Sequence, residues 1–156
     1  MRTFFQRCAD IEEALAEIYR ELASSPLGDA DLRQIWREMA REEGDHARQL
    51  RLAARLPEEE TVRAARIPLQ QVLHLRDLAV AYLQEVKGGT LTLEGALQLS
   101  MRLENEFAGI HAHCAAEFID EQMSAMFRAL AWDDERHAQT LFDYCRAAGI
   151  GTGENA

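Results

Sequence analysis

The chain is poor in helix breakers, with three prolines and nine glycines in 156 residues. Valine and isoleucine are scarce, and no run alternates polar and apolar residues for long, which argues against a sheet. No stretch reaches about eighteen uninterrupted apolar residues, so no membrane span is expected. The opening "MRTFFQRCADIEE" turns acidic too early for a signal peptide. Positive charge is also in short supply: Lys and Arg number 17 against 27 Asp and Glu, a net charge of −10. Nucleic acid, which needs a basic patch to neutralise its phosphates, is therefore not an expected partner. The three cysteines, Cys8, Cys114 and Cys145, form no Cys-x-x-Cys pair. They read as small core residues in a reducing, cytoplasmic setting.

What is abundant is Ala, Leu, Glu and Arg, all good helix formers. Apolar residues make up 47% of the chain, enough for one compact core. An all-α domain follows. The first helix is expected over about residues 3–24, with Cys8, Glu12, Leu15, Tyr19 and Leu22 facing inward. Pro26 and Gly28 break it, and Asp29 or Asp31 can cap the second, which ends before Pro57. The inward stripe of that helix is Leu32, Ile35/Trp36, Met39, Glu43, His46 and Leu50.

"PEEETVRAARIP" reads as a polar connector. A short helix follows Pro68, with Val72, Leu75, Leu78/Ala79 and Tyr82 on one side and Gly88-Gly89 at its end. Thr92 can cap the third long helix, which carries Leu97, Met101, Glu104, Ala108 and His111 inward. The fourth starts near Asp120 and carries Met123, Met126/Phe127, Leu130, Asp134, His137 and Leu141. The expected architecture is an antiparallel four-helix bundle over residues 1–148. A long crossover between helices two and three contains the short extra helix, and a flexible tail spans 149–156.

Residues 35–50 align without gaps on residues 126–141. Arg37, Ala40, His46, Ala47 and Leu50 match Arg128, Ala131, His137, Ala138 and Leu141, and Glu42-Glu43 matches Asp133-Asp134. More faintly, Glu12 and Ile18 match Glu104 and Ile110. The echo suggests two helical hairpins of common design related by a pseudo-twofold axis.

Each long helix thus places one carboxylate in its inward stripe: Glu12, Glu43, Glu104 and Asp134. Two add a histidine three residues on, His46 and His137, one turn along the same face. An unpartnered buried carboxylate costs several kcal/mol. Four in one layer would rival the whole stability of a typical domain, about 5–15 kcal/mol. Protons, water or cations must offset that cost, and two divalent metals carry enough charge to do so. Mixed oxygen and nitrogen donors suit iron or manganese better than a thiolate zinc site. Asp133 is an alternative to Asp134, because spacings of three and four both face His137, although the repeat sets Asp134 opposite Glu43. His111 and Tyr19 are placed beside the site, His111 as a residue that orients a ligand and Tyr19 as either a packing or a redox-active residue. His74 has no carboxylate at matching spacing and reads as a hydrogen-bonded core residue, His113 as a surface one. Glu13, Glu17, Glu42 and Glu106 read as solvated face.

"CADIEEALAEIY", "EEGDHARQL", "LTLEGALQLSMRLENEFAGIH" and "LAWDDERHAQTL" together resemble the four helices of the ferritin-like superfamily, and within it the rubrerythrin-like proteins. The likeness covers most of residues 3–148. It implies a bridged di-iron site in which Glu43 and Asp134 bridge, Glu12 and Glu104 are terminal, and His46 and His137 complete the set, with manganese or zinc as substitutes. It also implies a protein that oxidises Fe(II) with O2 or reduces hydrogen peroxide; with no clear fifth helix or assembly signal in the sequence, a homodimer is expected rather than a shell. The chain departs from the pattern in several ways. Asp134 stands where Glu is usual, His111 stands where Tyr is common, and the extra carboxylate of helix three is missing. No rubredoxin-type module is present, so electrons would come from an external donor protein or from Fe(II). Iron storage or delivery, an oxygenase acting on an organic substrate, and a metal-binding helical module without catalysis are the alternatives.

Overall fold

The computed structural model describes residues 2–55 and 69–151. They form five helices and no strand: α1 (Arg2–Ser24), α2 (Ala30–Ala53), α3 (Leu69–Gly88), α4 (Leu93–Glu117) and α5 (Glu121–Ala148). The connector expected over 57–68 and the tail residues 152–156 lie outside the described residues.

Polar caps fix where the helices begin. Asp29, rather than Asp31, takes the α2 cap and accepts from the Leu32 amide at 2.9 Å, while Asp31 sits in the first turn. Thr92 accepts from Gly95 N–H at 3.1 Å and Asp120 from Met123 N–H at 2.8 Å. Each satisfies an amide that the helix itself cannot, worth about 1 kcal/mol. Gly149, at φ 68°, turns α5 off in the left-handed region, which lets Ile150 N–H bond back to Cys145 C=O at 2.9 Å. The stretch expected as a tail therefore opens with an ordered cap.

The helices pair as α1 with α2 and α4 with α5. Within the first pair, Glu13 meets Arg51, so the helices run antiparallel after their short connection. In the second, Ser124 Oγ donates to Ala115 C=O at 2.7 Å beside the turn, and His137 meets Glu104 farther along. Between pairs, Tyr19 reaches Glu104 and Glu12 faces His111. On the other side His46 faces Asp133 and His137 faces Glu42. All four neighbouring pairs are antiparallel, so the diagonal partners α2 and α4 point the same way. The α3 helix packs on α1 and α4, with Lys87 paired to Glu17 and the Tyr82 hydroxyl donating to Ala96 C=O at 2.8 Å. Its 20 residues begin just after Pro68 and end at Gly88, where the sequence places them. Its apolar stripe continues through Leu83 and Val86, and Gly89, at φ 65°, follows its end.

The inward stripes of the four long helices are buried as expected, Ile35 and Met126 being partly so. Phe5, Phe118 and Phe127 stack at one end, with ring centroids 5.9 Å (Phe5–Phe118) and 5.1 Å (Phe118–Phe127) apart. Such pairs contribute roughly 0.5–1.5 kcal/mol each beyond their burial. The Phe127 ring also lies 5.5 Å from His111, so this aromatic plug closes the core directly against the polar layer at its centre. Among the described residues no helix is long and apolar enough to cross a membrane.

Candidate metal centre

The apolar core is interrupted at mid-height. Glu12, Glu43, Glu104 and Asp134 are each 0% exposed, and His46, His111 and His137 are buried with them. The helical period brings each there, since every one continues an apolar stripe of its own helix. Their donor atoms gather into two groups, Glu12–Glu43–His46–Asp134 and Glu43–Glu104–Asp134–His137, with the atoms of each within 4.8 Å of one another. All six residues expected from the sequence are brought together. Glu43 and Asp134 belong to both groups, and either group could hold a metal ion.

Asp133 joins neither group. His46 directs Nδ1 inward, 3.0 Å from Glu43 Oε2, and Nε2 outward, 3.3 Å from Asp133 Oδ2. His137 repeats the arrangement: Nδ1 lies 2.7 Å from Glu43 Oε1 and 3.4 Å from Glu104 Oε2, and Nε2 lies 2.8 Å from Glu42 Oε2. An ionised carboxylate only accepts, so Nε2–H is the donor in both outer contacts. That leaves each Nδ1 lone pair free to ligate when the ring is neutral. Glu42 was expected on the solvated face; it is half-buried there and accepts from His137 Nε2–H. The signal for it lay in the repeat, because Glu42 and Asp133 are matched positions. Each serves the histidine of the other motif helix.

His111 and Tyr19 both touch the layer. His111 Nδ1 donates to Asp134 Oδ2 at 2.7 Å, and its Nε2 lies 3.6 Å from Glu12 Oε1. The Tyr19 hydroxyl donates to Glu104 Oε1. His113 is exposed as expected. His74 is not in the core: it is exposed on α3, in a groove beside Gln70 and Glu106, because the stripe of α3 faces the other way.

Electrostatics follow from crowding four carboxylates into a dry layer. Burial, then the charge of Glu43, pushes Glu12 well above the usual carboxylate range. The same two causes push Glu104 up to about 8. Asp134 is raised by burial against the opposing pull of His111. Burial would raise Glu43 too, but the His137 and His46 imidazoles hold it well below the usual range. Burial would lower His137, yet Glu104 and Glu43 carry it up to about 12. Without a metal, burial thus favours protons on Glu12 and Glu104, and the neighbouring carboxylates favour a charged His137 beside Glu43.

Several buried atoms of the layer lack any hydrogen-bond partner: both Glu12 oxygens, Glu43 Oε1, Glu104 Oε2, Asp134 Oδ1, His111 Nε2 and His137 Nδ1. Buried polar atoms are rarely left so, each costing about 1–3 kcal/mol. Four carboxylates and two imidazole nitrogens, with no thiolate among them, fit iron or manganese, and zinc can accept the same atoms.

No family model, curated protein or solved structure matches this chain. The donors themselves are what speak for the site's chemistry.

Proposed function

We propose that the protein is a di-iron carboxylate redox protein of rubrerythrin-like type, oxidising Fe(II) with O2 or reducing hydrogen peroxide. The observation that carries this reading is the sharing of Glu43 and Asp134 by two donor groups, each completed by its own Glu and His. A pair of carboxylates common to two adjacent sites is what a bridged dinuclear centre needs, and the donor count matches the two lone Glu and two carboxylate-His pairs of such bundles. The long connection between α2 and α4 would be the crossover of a ferritin-like bundle, with α3 inside it. The same direction of α2 and α4 and the packing of α3 on α1 and α4 favour this.

Two iron ions held there would supply the electrons that reduce the oxidant, one from each metal. Glu43 and Asp134 would bridge, Glu12 and His46 would hold one ion, and Glu104 and His137 the other. Burial favours protons on Glu12 and Glu104 in the metal-free layer, and binding of metal would displace them, so the protons for the reduced oxygen would come from solvent. Tyr19 keeps one oxygen of Glu104 engaged and so limits how that carboxylate can turn. His111 does the same for Asp134. The phenylalanine plug and the surrounding Leu and Met side chains exclude bulk water. The free, buried cysteines suit a reducing compartment, where an external donor protein or Fe(II) itself would return electrons.

Metal analysis of protein produced in iron-rich medium tests the reading, with a Glu43→Ala/His137→Ala variant beside it. The wild type should carry about two irons or manganese ions per chain, and the variant should lose them; equal metal in both sinks the proposal. Anaerobic Fe(II) loading followed by separate challenge with O2 and with peroxide then assigns the oxidant. Faster reoxidation by peroxide marks a peroxidase.

A further inference from the structure

Outside the metal layer, Arg136 links the two outer carboxylates. Its Nη2 donates to Glu42 Oε2 at 2.6 Å and to Asp133 Oδ1 at 2.9 Å. These are the acceptors of His137 Nε2–H and His46 Nε2–H, so one guanidinium connects both imidazoles through a carboxylate each. The arrangement breaks the repeat at a single informative place. Glu42 matches Asp133, Glu43 matches Asp134 and His46 matches His137, but the match of Arg136 is Asp45. Asp45 turns to Arg48 of its own helix. Among the described residues, Arg136 is thus the cation that touches both of these carboxylates.

A carboxylate that must orient an imidazole needs its own anchor, or it swings into water. Glu42 and Asp133 have side chains 25% and 34% exposed, open enough to do that if released. Arg41 also reaches Glu42, but at 3.5 Å and from the other oxygen, while the described contacts of Asp133 are His46 and Arg136 alone. A guanidinium is permanently charged and rigid in its fork, which suits one group holding two carboxylates at once.

We propose that Arg136 is a positioning residue for both halves of the centre. By holding Glu42 and Asp133 together it fixes the ring planes of His137 and His46, so that both Nδ1 atoms face the shared carboxylates. The inference rests on the metal-binding reading above for its consequence, but not for its geometry. Loss of Arg136 weakens both positions together. Loss of Glu42 weakens the His137 position alone, and loss of Asp133 the His46 position alone.

The test uses the full chain with Arg136→Gln, Arg136→Lys, Glu42→Gln and Asp133→Asn. In metal-free protein, the imidazole Hε1–Cε1 signals of His46 and His137 are followed by NMR. Both should move in Arg136→Gln, only His137 in Glu42→Gln, and only His46 in Asp133→Asn, with Arg136→Lys closer to wild type. Co(II) titration should then show affinity for both positions lowered by roughly tenfold in Arg136→Gln, in the range expected for groups that orient metal ligands. The melting temperature of the metal-free variant should stay within a few degrees of wild type, since the guanidinium is 45% exposed. A purely structural role would lower that temperature and leave the crossed pattern of signals absent. If Arg136→Gln moves neither imidazole, or only one, the inference is overturned even where the wild type binds two ions. If the crossed pattern holds but the wild type binds no Co(II), Arg136 keeps its positioning role and the di-metal reading falls instead.

Discussion

His137 Nδ1 stands 2.7 Å from Glu43 Oε1, yet neither atom completes a hydrogen bond. The two are near enough to attract strongly and are angled past one another. Glu104 Oε2, 3.4 Å from the same Nδ1, and Asp134 Oδ1 are also unpartnered. Charge accounts for the rest. Glu43 is the anion of the layer and His137 its principal cation, which is why their titrations move in opposite directions.

Glu43 belongs to both donor groups, whereas Glu104 belongs to one. Glu43→Gln should therefore weaken both metal positions, each by at least roughly tenfold. Glu104→Gln should weaken one and spare the other. Isothermal titration of metal-free protein with Co(II) reads this directly as two weakened sites against one. Equal effects of the two substitutions would remove the shared role assigned to Glu43.

The metal-free protein should lose stability as pH rises from about 5 to about 8. Glu104 keeps its proton in the folded state up to about 8, where an ordinary glutamic acid releases it near 4.5. Between those values the folded chain holds more protons than the unfolded one, so raising the pH favours unfolding. Glu12 and Asp134, also raised, act in the same sense. His137, raised to about 12 from 6.5, adds to the slope above the lower of those values. Glu43, held low, opposes it only below 4.5. Melting temperatures measured in chelator across this range should fall by several degrees, and bound metal should abolish the fall because it replaces those protons. A flat profile in chelator would mean that Glu104 and Glu12 are not protonated in the fold.

Tyr19→Phe removes the donor to Glu104 while keeping the ring and its packing. A hydrogen bond between buried groups of this kind contributes about 1–2 kcal/mol, and its loss leaves Glu104 Oε1 without a partner. Urea unfolding of the metal-free variant should show a lower midpoint at unchanged slope. Metal affinity should fall at the Glu104 position alone, because Tyr19 touches no other member of the layer by hydrogen bond.

Much of this architecture was legible because burial and helical period act on every residue at once. Glu12, Glu43, Glu104 and Asp134 could be placed in one layer since each continued an apolar stripe, and burial in the fold follows those stripes. The choice between Asp133 and Asp134 needed the fold, because spacings of three and four differ only by the small rotation that sends one side chain inward and the other to the rim. Glu42 was misread for a related reason: a residue at the edge of a stripe is solvated or buried according to the neighbouring helix, and only α5 decides that. The misplacement of His74 has another origin. A helix lying on the outside of a bundle has a narrow stripe, so its two flanks are harder to tell apart.

Asp134 raises the last expectation, since it carries a shorter side chain than its repeat match Glu43. The structure fills the missing methylene with His111, whose Nδ1 sits 2.7 Å from Asp134 Oδ2 with neither residue exposed. Asp134→Glu would push the carboxyl into that ring, and overpacking of a filled core costs about 1–3 kcal/mol. His111→Ala alone should also destabilise, by opening a cavity and removing the donor to Asp134. In the double variant the longer carboxylate occupies the vacated space, so the two costs should not add. A double-mutant cycle by urea unfolding should give a coupling of at least about 0.5 kcal/mol in the direction of rescue. Simple additivity would show that His111 does not determine the length of the carboxylate at this position. Metal binding supplies an independent check: Asp134→Glu should still take up two Co(II) ions, because the added methylene alters reach without removing a donor.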